Sequence, residues 1–484
     1  MVVAWFKIGN AGSGCSQRLS RDCHGEGTHS GSQSTQVVVY VGSDVSWVRG
    51  RSVGQCAIGL LVAGAVARYC PAQEAPSDQR PPETATGNVS EREAAAEAQA
   101  HAAVPERYNI SLGRGGITLS AGLQGLYVDN VFLTHTDIRD DFILVPQLNA
   151  GLFYPIGRLN TLRVDLGLAY YYYTRNTSLN SDTPTVSPNT LLDFHVYTGD
   201  FEITLSEAFS YQELPFYETG AEFFNVYGTG RFARFLNRVG AAATWDLHHL
   251  VVEGGYHHED LLSNGSEFNY IDRHSDLFDA NAFLSVSPVV ALGLEGAASL
   301  NSYDNVPLND HWRASVGPAV RLRPSEYLTV RLGGGYQRIE YDSNLDSLYG
   351  LQGFDTYYAY ASLEHQINRF FNHTARISHD NQLGINAANL EGTHVTYSLN
   401  WTATERIRVS PYFEYSHYEE SYGPDVTGLY REVFDYYSAG FAATYTVTQN
   451  WRVNLNYDFR MKDSDTPSAG YTQNRVALLL DYRF

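Results

Sequence analysis

Residues 161–173 read Thr-Leu-Arg-Val-Asp-Leu-Gly-Leu-Ala-Tyr-Tyr-Tyr-Tyr. Leu162, Val164, Leu166, Leu168, Tyr170 and Tyr172 fall on one side of an extended chain, and Thr161, Arg163, Asp165, Gly167, Ala169 and Tyr171 on the other. That is the period of two of a β-strand. The split returns at 451–460, where Trp451, Val453, Leu455, Tyr457 and Phe459 oppose Arg452, Asn454, Asn456, Asp458 and Arg460. It returns again at 406–415, with Ile407, Val409, Phe413 and Tyr415 against Arg406, Arg408, Ser410 and Glu414. Only at 201–211 is the register weak, because Glu207 lands on the apolar face, and a bulge or strand end is expected there.

Eighteen such segments begin near residues 115, 141, 160, 189, 201, 233, 249, 275, 289, 311, 326, 355, 370, 393, 406, 433, 450 and 473. Eight short breaks, around Gly157, Gly199, His248, Pro288, Pro324, Asn368, Thr404 and Gln449, alternate with nine long polar ones. Tight turns on one side and elaborated loops on the other describe antiparallel strands crossing a barrier, as in outer-membrane barrels. The 379 residues from 106 to 484, shared among 18 segments, leave about 21 each, enough for a tilted crossing of roughly 9 to 11 residues plus a connection. A soluble sandwich would have to bury the charged face. The fold expected is therefore all-β, a closed antiparallel transmembrane β-barrel of about 18 strands with short periplasmic turns and long external loops. Closure follows because lipid cannot satisfy an open sheet edge.

Composition agrees. The chain of 484 residues is 13% aromatic but only 18% charged, against about 25% in average soluble proteins. Its net charge of −20 argues against nucleic acid as a partner. Lys7 and Lys462 are the only lysines, so nearly every cation is an arginine. All four cysteines, Cys15, Cys23, Cys56 and Cys70, precede residue 71, which leaves the barrel without disulfides or thiolate metal sites.

At the front, Arg49 and Arg51 precede an uncharged run from Cys56 to Ala67, too short to span a membrane as a helix, which needs about 20 residues. The pattern predicts a signal peptide over 49–72, following an untranslated or disordered extension over 1–48. Residues 73–105 read as an Ala/Glu/Pro-rich linker and 106–484 as the barrel.

The last segment ends Val476, Leu478, Leu480, Tyr482, Phe484 on one face. This resembles the terminal signature by which outer-membrane barrels are recognised for assembly, with Phe484, Tyr482 and Leu480 as its elements. Residues 127–176, YVDNVFLTHTDIRDDFILVPQLNAGLFYPIGRLNTLRVDLGLAYYYYTRN, resemble the opening of the putative β-barrel porin family of type two. The resemblance implies the outer membrane of a Gram-negative-type bacterium, the barrel-assembly machinery, lipid and lipopolysaccharide as surroundings, and for some members a link to exopolysaccharide export. It brings no catalytic motif, and no enzyme is expected.

The informative residues are the charges on the polar face. The register turns Arg163, Arg175, Arg313, Arg321, Arg331, Arg376, Arg406, Arg408, Arg452, Arg460, Arg475 and Arg483 inward. Against them stand Asp165, Glu202, Glu253, Asp279, Glu295, Glu364, Glu414, Asp458 and Asp481. A ladder of guanidiniums suits polar or acidic saccharides; pairing between Arg and carboxylates within the wall would brace it instead. Aromatics at strand ends (Tyr170 to Tyr173, Tyr357, Tyr358, Tyr360, Trp401, Tyr436, Tyr437 and Trp451) fit interfacial girdles, with some in the lumen. His248 with His249, and Tyr256-His257-His258-Glu259, are adjacent residues that point to opposite faces, so neither group chelates by itself, and neither metal nor cofactor is expected. Asp137-Ile-Arg-Asp-Asp141 reads as solvated loop. The expected function is a porin-like channel for polar solutes or saccharides; the alternative is a plugged or closed barrel acting as a scaffold in envelope or polysaccharide assembly.

Overall fold

The computed structural model describes residues 108–187, 190–212, 233–265, 269–304, 310–342, 353–384, 389–421, 431–467 and 469–484. The readings made for 1–48, 49–72 and 73–105 lie outside the described residues. Eighteen strands form the wall: β1 Gly115–Val128, β2 Asp141–Ile156, β3 Asn160–Ala169, β4 Leu191–Thr198, β5 Phe201–Gln212, β6 Arg234–Asp246, β7 Leu250–Ser263, β8 Arg273–Ser285 and β9 Val290–Tyr303, then β10 His311–Ser325, β11 Leu328–Tyr341, β12 Phe354–Asn368, β13 Phe371–Gln382, β14 Asn389–Thr404, β15 Ile407–Ser421, β16 Arg431–Thr446, β17 Trp451–Ser464 and β18 Tyr471–Arg483. Each pairs antiparallel with the next. β18 returns to β1, with Arg475–Arg483 opposite Val128–Ser120, so the sheet closes without an edge. The strand starts lie within four residues of those read from the alternation. No helix among the described residues is long and apolar enough to cross a membrane; the strands make the crossing.

The tight connections are written in side chains that accept from their own turn. The Asn368 oxygen accepts from the N–H groups of Phe370 and Phe371 at 2.8 and 3.1 Å. Thr404 does the same for Arg406 and Ile407, and Thr448 for Asn450 and Trp451. These are the Asx and Ser/Thr turns that reverse a strand in a few residues. Gly157 and Gly199 supply left-handed backbone at two others, with φ of 85° and 58°.

Outside, the wall is apolar all round. Leu123, Leu148, Leu294 and Leu300 are each more than half exposed, at 51, 59, 58 and 52%. Removing such surface from water is worth about 25 cal/mol per Å², so a ring of it demands lipid. Two aromatic levels bound the belt. Phe201 stacks on Trp245 at 5.3 Å and Phe371 on Trp401 at 5.8 Å, and Trp451 lies tilted against Tyr482 at 4.8 Å, all near the tight turns. On the other side Tyr256 with Phe278 and Tyr415 with Tyr437, both at 5.1 Å, are the last outward aromatic pairs before the outward positions turn polar towards the long loops, at His258, Asp276, His417 and Asp435.

Glu207 corrects the expectation of a bulge. The β5 ladder runs unbroken past it, and its carboxylate points outward, exposed, between Leu192 of β4 and Val239 of β6. What ends at that level is the neighbour: β4 begins at Leu191, opposite Ala208.

Candidate functional site

Alternation along each paired strand turns Arg163, Arg313, Arg321, Arg331, Arg376, Arg408, Arg452 and Arg460 to the lumen side, with Glu295, Glu414 and Asp458. Two arginines read as inward are not on strands. Arg406 occupies the exposed turn between β14 and β15, and Arg175 is an exposed loop residue paired with Asp140. Both lie past the strand ends, where no ladder enforces alternation.

The inward residues of β7 to β13 converge on one arc. Arg321 of β10 is buried with its guanidinium 4.4 Å from the centre of the Phe283 ring and 3.7 Å from the Glu253 carboxylate on β7. Arg331 of β11 lies directly opposite Arg321 in the ladder. Tyr360 of β12 donates its hydroxyl to Glu295 of β9 at 2.7 Å, and the Arg376 guanidinium lies 5.8 Å from the Tyr360 ring centre. Arg331 and Arg376 act electrostatically on that same Glu295 carboxylate. Two glycines make room. A Cβ on Gly293 would lie 2.5 Å from the Phe283 ring, and one on Gly333 would lie 2.5 Å from the Tyr360 ring. Both rings can therefore lie along the wall where a side chain would otherwise stand. The same inward face also carries Arg273, Arg313 and Arg323 with Glu259, Asp279, Glu364 and Asp380, so cations and carboxylates balance along the arc.

Other inward arginines, inside the arc and beyond it, are braces. Arg163 meets Asp165 at 2.6 Å, Arg452 meets Asp481 at 2.8 Å and Arg273 meets Glu259 at 3.4 Å. On β15, Tyr412 donates across Gly440 to Asp458 of β17 at 2.5 Å, and Glu414 lies 3.5 Å from His394.

The wall of β1 and β2 near the long loops is different. Leu126, Val128, Ile143 and Val145 face inward and are buried under Val131, from the β1–β2 connection, and Tyr173 and Leu179, from the β3–β4 connection. Asp141 corrects the reading as solvated loop: it is fully buried. Its carboxylate accepts from the backbone N–H groups of Thr174, Arg175 and Asn176 at 2.9, 3.0 and 2.7 Å, which folds that loop over the apolar patch. A smaller inward cluster, Leu390, Tyr418, Phe434 and Tyr436, repeats the theme over β14 to β16.

Tyr358, Tyr360 and Tyr436, read as girdle, thus belong to the interior, while Tyr357, Trp401, Tyr437 and Trp451 face out. Strict alternation carried the signal: Tyr357 and Tyr358 cannot share a face. The terminal residues lie outside as read. Leu480 and Phe484 are exposed at 43 and 60%, and Tyr482 meets Phe484 edge-on at 5.3 Å.

A closed antiparallel barrel of even strand number, with tight turns on one side, long loops on the other and an apolar belt between aromatic girdles, is an outer-membrane β-barrel, and its place is the bacterial outer membrane. No family model matches the chain, and no curated protein matches it. Among solved structures it is similar to OpdK of Pseudomonas aeruginosa, crystallised with vanillate, at 10% identity and a TM-score of 0.44 over 76% of this chain and 99% of that one. It is similar also to OccK2 (OpdF) of the same organism in complex with glucuronate, at 9% identity and 0.44 over 78% and 100%. Identity and overlap this low carry no information about solute or site residues.

Proposed function

We propose that the protein is a channel for small polar solutes, with a preference for acidic ones set by the arc from β7 to β13. The observation that supports this is the placement of Arg321 directly opposite Arg331. Like charges facing each other across a ladder weaken a sheet, so a wall built only for bracing would alternate signs, as Arg163 with Asp165 and Arg452 with Asp481 do. Guanidiniums stay charged at every accessible pH and grip carboxylates in two-pronged fashion. Passage of saccharides, a part in exopolysaccharide export and membership of the type-two porin family belong to this reading as its finer form.

The second reading, a closed barrel serving as a scaffold, draws on the apolar clusters that occupy the lumen side of β1, β2 and β14 to β16. Planar-bilayer conductance of the purified barrel separates the two. The channel reading expects discrete conductance with anion preference at low salt, and a shift towards cations when Arg331 and Arg376 are both replaced by Glu. A unit charge at 4 Å is worth about 4 kcal/mol at an effective dielectric constant of 20 before screening, and the shift fades as salt shortens the Debye length. Absence of conductance from folded protein favours the scaffold.

A further inference from the structure

The outer surface carries an arrangement unrelated to the lumen. β7 contains His258-Glu-Asp260 and β8 contains His274-Ser-Asp276. The antiparallel register sets His258 opposite Asp276 and Asp260 opposite His274. All four side chains point outward, just above the Tyr256–Phe278 pair and so at the headgroup level on the long-loop side. The Asp260 carboxylate lies between two imidazoles, 3.1 Å from Nε2 of His258 and 2.6 Å from Nδ1 of His274. These three ligand atoms all lie within 4.8 Å of one another.

The far nitrogen of each ring is also taken. Nδ1 of His258 is 2.8 Å from Asp276, which also accepts the Tyr256 hydroxyl at 2.8 Å, and Nε2 of His274 is 3.6 Å from Asp304 in the loop after β9. A carboxylate on the outer nitrogen is what orients a metal-ligating imidazole and fixes the nitrogen it presents. Metal–nitrogen bonds of about 2.0–2.1 Å in a tetrahedral set place ligand atoms a little over 3 Å apart; the carboxylate already lies at 3.1 and 2.6 Å from the two nitrogens, so small side-chain shifts admit an ion.

We propose that His258, Asp260 and His274 bind a divalent transition ion such as Zn²⁺, with Asp276 and Asp304 as positioning residues and the remaining coordination open to the exterior. Two imidazoles and a carboxylate favour Zn²⁺ and its neighbours over Mg²⁺ or Ca²⁺, which take oxygen sets. The ion would take the place of the protons now shared between Asp260 and the rings, and would tie β7 to β8 at the rim. Two other outward histidine and carboxylate pairs, His417 with Asp435 at 3.0 Å and His379 with Glu391 at 3.4 Å, belong to no three-ligand group among the described residues, and the first is the more exposed. It serves as the internal control. The inference is independent of whether the lumen conducts.

The test is calorimetric titration of tag-free, chelator-washed, folded barrel with ZnCl₂, alongside the visible spectrum of the Co²⁺ adduct. One site per chain is expected. His258→Ala or His274→Ala should weaken it at least 100-fold, Asp276→Asn about 10- to 100-fold, and His417→Ala should leave it unchanged. Each variant is checked for heat-modifiable migration, and the folded parent protein alone suffices to overturn the proposal. No Zn²⁺ uptake by it, or uptake undiminished in the His258→Ala/His274→Ala double variant, removes the site.

Discussion

The inward face of β1 and β2 carries Leu126, Val128, Ile143 and Val145 beneath a returning loop, whereas the inward face from β7 to β13 carries Arg321, Arg331, Arg376, Glu253 and Glu295. The first set is covered by Tyr173 and Leu179, on a loop pinned by the buried Asp141. The second is held by hydrogen bonds and ion pairs to groups three strands away, such as Tyr360 to Glu295 and Arg321 to Glu253. Apolar residues on the inside of a barrel need protein to cover them, because water there costs about 25 cal/mol per Å². Charged residues tolerate water or a solute in its place. One wall is thus apolar core; in the other Arg321 and Glu253 are a buried brace while Arg331 and Arg376 are half-buried, and any solute path runs along these two.

The largest expected effect comes from placing a charge on each wall. Ile143→Asp sets a carboxylate among Leu126, Val145 and Tyr173, where the cost of an unpaired buried charge is several kcal/mol. No heat-modifiable barrel should accumulate. Ser362 stands directly between Arg331 and Arg376 in the ladder, so Ser362→Asp meets a cation on either side and should fold at parental yield. Equal behaviour of the two variants on a folding gel would erase the distinction between the walls.

The next effect concerns the seam that closes beside the apolar wall. Phe484 donates its N–H to the Leu119 oxygen at 3.1 Å and packs its ring on Tyr482. Deleting Phe484 touches no lumen residue yet removes both contacts and the outermost aromatic. Secretion should persist while membrane insertion falls and soluble periplasmic protein accumulates, read by fractionation. Normal insertion would mean that closure does not depend on this residue.

Much of this was legible in alternation. The strand starts, the turns and the outward set of β18 follow from the period of two and from turn residues such as Asn368 and Thr404. The division of the interior did not, because alternation states which residues face inward but not what meets them there. Leu126 and Gln124 share a face in β1, yet only the former lies under the loop. The contacts of Tyr360 and Tyr412 span three and two strands, so no local pattern announces them. Likewise the histidine and aspartate pairs of β7 and β8 are invisible to a reading of adjacent residues and appear once the register is known.

The smallest effect probes how the charged wall is held. A Cβ on Gly333 would lie 2.5 Å from the Tyr360 ring, so Gly333→Ala forces the ring off the wall and its hydroxyl away from Glu295. Overpacking of this kind costs about 1–3 kcal/mol. Gly254, on the outward face of β7, is the control: its Cβ would find only the Asp279 carbonyl, at an ordinary 3.6 Å. Gly254→Ala should be neutral or slightly stabilising, since alanine restricts the unfolded chain. Tyr360→Phe keeps the ring and removes only the donor to a carboxylate, a loss of roughly 1.5–3 kcal/mol where that group stays desolvated and less where water replaces the hydroxyl. Urea midpoints of the lipid-reconstituted barrel therefore report on the lumen itself. Gly333→Ala lowering the midpoint while Tyr360→Phe barely moves it would mean that water reaches Glu295 and the charged wall is wet. Equal losses would mean that this wall is as dry as the one over β1 and β2, and the comparison between them would fail.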